Sequence, residues 1–119
     1  MFSLIFPGQG SQTVGMCREL YNKFELIKKI FKSADEILDF PLTKIIFEGP
    51  KQELDFTENT QPSVFLVGYS IFKLLKEEFK FDGHVKTIES MCGACGYFLD
   101  ELVSNTGKTG DEKWHCLLY

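Results

Sequence analysis

The sequence predicts an α/β fold that is mostly helical over this length. Three observations predict it. The run Phe2-Ser3-Leu4-Ile5-Phe6 is apolar and stops at Pro7, as a short strand does. The glycine-flanked turn Gly8-Gln9-Gly10 follows it and leads toward helical spacing. Two later stretches, 25–38 and 63–79, carry apolar residues at a helical period. A turn at the carboxyl end of a strand, entering a helix, exposes backbone N–H groups suited to an anion or oxyanion. A polar site at the edge of an α/β sheet is therefore expected around Gln9.

After the turn, a helix is expected over 14–24, with Met16, Leu20, Tyr21 and Phe24 on one side. The clearest helix is Glu25–Leu38. Its Leu26, Ile27, Ile30, Phe31, Ala34, Ile37 and Leu38 share a face, with lysines and acids opposite. Asp39-Phe40-Pro41 ends it. A short amphipathic piece over 42–47 closes at Gly49-Pro50, and a helical turn follows over 51–56. Residues 57–62 read as a loop and helix start, with Thr60 as N-cap and Pro62 near the first helical position. The helix over 63–79 is apolar nearly all round in its first half (Val64, Phe65, Leu66, Val67, Ile71, Phe72), so it must be buried on several sides. Only one good strand (2–6) and one poor one (85–88) are available to cover such helices. An exposed apolar patch and association are expected from that shortfall.

From Gly83 onward the character changes, which divides the chain into 1–82 and a divergent tail, 83–119. The tail holds Cys92-Gly93-Ala94-Cys95 and His115-Cys116. Two soft pairs suggest zinc, but one knuckle plus two adjacent ligands is a weak pattern, and no metal is assigned. Gly107-Lys108-Thr109 imitates the end of a phosphate loop, yet Leu102 stands where its first glycine belongs. A polar loop is the better reading.

Length and composition bound the rest. With 119 residues the chain holds one domain at most, and 44% hydrophobic with 25% charged residues is globular. A net charge of −4 argues against nucleic acid, which needs a basic patch. No apolar run is long enough to span a bilayer, and Pro7 interrupts any leader-like start. A cytoplasmic protein is expected, with its four cysteines reduced.

The residues quoted so far resemble a known family. Phe6-Pro7-Gly8-Gln9-Gly10-Ser11-Gln12 with Gly15-Met16, then Glu48-Gly49-Pro50 with Glu53-Leu54, then Thr60-Gln61-Pro62, look like three ordered landmarks of malonyl-CoA:acyl carrier protein transacylases. The resemblance covers residues 1 to about 81, roughly the first quarter of that family's domain. Size and the compact start favour the stand-alone bacterial type. The resemblance implies an α/β-hydrolase-like acyltransferase core and no cofactor. It implies malonyl-CoA and acyl carrier protein as partners, with a serine carrying the malonyl group between them. Gln9 then corresponds to the family glutamine whose backbone N–H helps form the oxyanion hole, and Gln61 to a glutamine near the pocket.

The family's Gly-His-Ser-x-Gly elbow is not found in this chain. Gly83-His84-Val85 puts valine where serine belongs. Ser90 falls near the right distance from Gln61, but Ile88 and Cys92 stand where glycines are needed. Without those glycines the sharp turn that exposes the serine oxygen is blocked, so an ordinary serine is the better reading of Ser90. Arg18 matches neither the family's substrate arginine nor any other landmark, and His84 and His115 match no family base. A truncated or frame-disrupted family member, inactive alone, is the resulting expectation. A companion chain would supply the missing groups. The alternative is a small partner-binding module built on the C-x-x-C tail.

Overall fold

The computed structural model describes residues 7–80. Five helices occupy them: α1 (Arg18–Lys23), α2 (Glu25–Leu38), α3 (Leu42–Glu48), α4 (Lys51–Asp55) and α5 (Thr57–Glu77). No strand occurs among the described residues, and the two expected strands, 2–6 and 85–88, lie outside them. No helix among the described residues is long and apolar enough to cross a membrane.

α2 forms over the expected span, and its spacing explains why. Ile27, Ile30, Phe31 and Ala34 recur at helical period and are all fully buried. Asp39 ends the helix in the left-handed region (φ 56), a conformation that a short polar side chain tolerates. α2 lies across α5 and also packs on α1 and α3. An aromatic cluster fills the α1–α2–α3 junction. Phe31 stacks on Phe47 at 5.6 Å, and the Tyr21 edge meets both rings, 5.5 Å from Phe31 and 4.9 Å from Phe47. Such pairs add about 0.5–1.5 kcal/mol each beyond the area they bury. Arg18 caps the cluster: its guanidinium lies 5.5 Å above the Phe47 ring and donates to the Phe47 carbonyl. The sequence's lone arginine thus has a local structural role.

The first helix is shorter than its pattern predicts. Residues 14–17 form turns, and the helix begins only at Arg18. Gly15 (φ 87) and Cys17 (φ 64) both adopt left-handed backbone, which a right-handed helix cannot include. Gly15 N–H instead donates to the Ile46 carbonyl at 2.7 Å, fastening this segment to α3.

The start of α5 also differs. The helix begins at Thr57 behind Phe56, so Thr60 is a residue inside the first turns and not the N-cap. Thr60 is fully buried, and its hydroxyl donates to the Leu54 carbonyl of α4. Pro62 sits inside the helix, not at its first position. Its missing N–H leaves the Glu58 carbonyl without an i→i−4 donor, which is tolerable because Glu58 is exposed to water. Tertiary contacts at Thr60 thereby extend the helix back past the local capping signal.

Burial of α5 on several sides holds. No residue from Thr60 to Lys76 is exposed. Val64, Ile71 and Leu75, with Gly68 between them, share one side of α5 and are only half-buried, so an apolar stripe reaches the surface there. The large exposed hydrophobics among the described residues are Val14, Phe56 and Phe79, on three different segments.

Candidate functional site

The glycine-flanked turn lies against the amino-terminal end of α5. Gly8 O accepts from Ser11 N–H at 3.3 Å and from the Ser11 hydroxyl at 2.8 Å, closing a tight turn with Gln9 and Gly10 at its centre. Gly10 has φ 106, the positive value a type II turn requires at its third residue. Only glycine adopts it without strain.

Two amide side chains fasten the turn to the helices. Gln9 Nε2 donates to Thr57 Oγ1 at 3.3 Å, and Gln9 Oε1 accepts from Gln61 Nε2 at 2.8 Å. Thr57 and Gln61 are four residues apart on α5, so one helix face presents both partners. Gln12 does the second fastening. Its Oε1 accepts from Gly10 N–H at 2.8 Å, and its Nε2 donates to Asp55 Oδ1 at 2.9 Å. Asp55 also pairs with Lys51, with Nζ 2.8 Å from Oδ2. The Lys51 contact, with a smaller contribution from Gln12, holds the Asp55 carboxyl below its ordinary value.

Chemically, the described residues offer an unbonded backbone donor here, the Gln9 N–H, and no hydroxyl paired with a base. No described residue accepts from Gln9 N–H. Gly8, Gln9 and Gly10 are all exposed, so a ligand can approach that backbone. The positive end of α5 lies alongside, which favours negative charge there. Cys17, packed against the core, is no ready thiolate, since burial pushes its pKa up to about 11. The described residues contain no cluster of three or more metal-ligating side chains.

Of the residues singled out from sequence, Gln9 and Gln61 are brought together across 52 positions of chain. Ser90, His84, His115 and the tail cysteines lie outside the described residues. Arg18 belongs to the aromatic cluster, away from the turn's fastenings. Thr57, Gln12 and Asp55 are the contributors that sequence reasoning did not single out. Thr57 falls in a segment that reads as loop. The Gln12–Asp55 bond joins residues 43 positions apart with no periodic signal between them.

A tight glycine turn clamped to a helix by glutamines marks the site. The acyl transferase domain model matches residues 3–79, and the chain belongs to that family. Within it, the similar proteins are malonyl transferases. The malonyl CoA-acyl carrier protein transacylase of Haemophilus influenzae is 38% identical over 78 residues, covering 66% of this chain and 25% of that protein. The crystal structure of the acyl-carrier-protein-S-malonyltransferase from Bartonella henselae superposes with a TM-score of 0.62 at 36% identity, covering 65% and 24%. A type II PKS acyl-carrier protein in complex with its malonyl-transacylase also matches, with TM-score 0.60, 31% identity and coverage of 70% and 26%. The described helices are therefore part of an α/β acyltransferase fold. The chain spans about a quarter of the length of these relatives.

Proposed function

We propose that this chain carries the amide cradle of a malonyl-transfer site, with malonyl-CoA as donor and acyl carrier protein as acceptor. In this reading the Gln9 backbone N–H faces the thioester oxygen, where negative charge develops as the carbonyl becomes tetrahedral. Gln61 holds the Gln9 side chain and, with Thr57, fixes the turn's distance from α5. The observation that carries the reading is the 2.8 Å bond from Gln61 Nε2 to Gln9 Oε1, which joins the first and third family landmarks at one point. Residues 1–82 constitute the acyltransferase part and 83–119 a tail of different character. The serine elbow, base and carboxylate-binding arginine come from a companion chain, and the setting is cytoplasmic fatty acid synthesis. Ser90 contributes no nucleophile, because Ile88 and Cys92 flank it where the elbow needs glycine.

A chimera tests this. Residues 1–81 of this chain replace the corresponding first quarter of the Haemophilus influenzae transacylase, which retains its own downstream sequence. Malonyl transfer to acyl carrier protein is expected. A folded chimera without transfer activity contradicts the proposal.

A further inference from the structure

We infer that Gln12 is the positioning residue of the Gln9–Gly10 turn, holding its central peptide and so the turn that presents the Gln9 N–H. This rests on the reading of Gln9 given above.

Gln12 is 9% exposed, whereas residues 7–11, 13 and 14 around it are exposed. A buried primary amide is costly unless both of its ends are bonded. Both are. The oxygen takes Gly10 N–H, and the nitrogen gives to Asp55. An N–H can only donate and an ionised carboxylate can only accept, so these partners leave the amide one possible orientation.

The backbone consequence follows from turn geometry. Type I and type II turns differ by a flip of the peptide between their two central residues. Here that peptide joins Gln9 to Gly10, and its N–H is the one Gln12 holds. Losing the Gln12 oxygen frees that peptide to flip, which releases Gly10 from its positive φ and slackens the turn that carries the Gln9 N–H on its preceding peptide. Asp55 is in turn anchored by Lys51 on α4, while the Gln9 side chain is anchored on α5. The turn is thus strapped to two helices by two independent amides. The Gln9 strap sets where the turn sits, and the Gln12 strap sets which way its central peptide faces.

The test reads the Gly10 amide in the full chain by NMR hydrogen exchange. In Gln12→Ala, Gly10 exchange should quicken about tenfold, the loss of one hydrogen bond, while amides of α2 and α5 keep their protection. Gln12→Glu keeps an acceptor for Gly10 but sets a second carboxylate against Asp55, and exchange should quicken likewise near neutral pH. The double variant Gln12→Glu/Asp55→Asn exchanges donor for acceptor and should return Gly10 toward the parent rate. A general brace would show no such recovery. An unchanged Gly10 rate in Gln12→Ala, or no recovery in the double variant, overturns the inference. If Gln12→Ala fails to fold, the single and double Gln12→Glu variants decide. None of these readouts involves a thioester, so they separate this inference from the malonyl-transfer reading. In an active chimera, Gln12→Ala should lower kcat and leave KM for malonyl-CoA unchanged.

Discussion

Asp55 and Cys17 are two ionisable groups whose surroundings push in opposite senses. Lys51 and Gln12 both favour the Asp55 carboxylate, so its folded pKa lies below the unfolded value of about 3.9. A depressed carboxyl stabilises the fold fully above the unfolded pKa and loses that contribution as pH falls through the folded pKa. Urea midpoints below about pH 4 should therefore drop more steeply in the parent than in Asp55→Asn. Equal slopes would mean that the Lys51–Asp55–Gln12 contacts do not persist in solution. Cys17 is the opposite case, a half-buried thiol with its pKa raised to about 11. At about pH 8, roughly a thousandth of it is thiolate, so alkylation there should lag far behind a free cysteine. Peptide mapping after brief iodoacetamide treatment checks this, and rapid modification of Cys17 would contradict it. At this scale turn chemistry singles out Gln9, whereas Gln61 is singled out only through the family resemblance. The sequence does not reveal that they touch, or that Gln12 and Asp55 do. Those pairings depend on how α4 and α5 are set against the turn, and no local pattern encodes that.

α2 is legible in the sequence from end to end, because one apolar stripe and one stop signal determine it. α5 is legible in its middle but not at its start. Thr60 carries the residue type of a cap, yet packing draws its hydroxyl to Leu54 and lets the helix begin at Thr57. This assigns different outcomes to the buried hydroxyls of α5. Thr60→Val keeps the shape and strands the Leu54 carbonyl, and should cost about 1–3 kcal/mol in chemical denaturation. Ser70 is equally buried, but its hydroxyl has no partner among the described residues. Ser70→Ala should be neutral or slightly stabilising, since the unbonded group gains nothing from burial. A Ser70→Ala loss as large as that of Thr60→Val would show that this hydroxyl is bonded. α1 fails to extend back to Val14 for a related reason. The Gly15–Ile46 bond holds left-handed backbone where apolar spacing alone continues the helix.

For the whole molecule, the described helices form a packed layer around Phe31, Ile46, Leu54 and Leu66, with the glycine turn laid against α4 and α5. That layer belongs to an acyl transferase domain. Family membership is legible from three short landmarks because each meets a local physical requirement. The first makes a positive-φ turn, the second separates α3 from α4 at Gly49-Pro50, and the third lies in the first turns of a buried helix, where Thr60 bonds to α4. How far α5 is covered is not legible. Burial of α5 from Thr60 to Lys76 depends on the assembled chain, not on any one segment. Among the described residues a backbone donor is held in place with no nucleophile to use it. Intact-mass measurement of the full 119-residue chain after incubation with malonyl-CoA tests this most directly. The expected result is an unmodified mass and no malonyl transfer to acyl carrier protein. A covalent malonyl adduct that disappears in Ser90→Ala would contradict it.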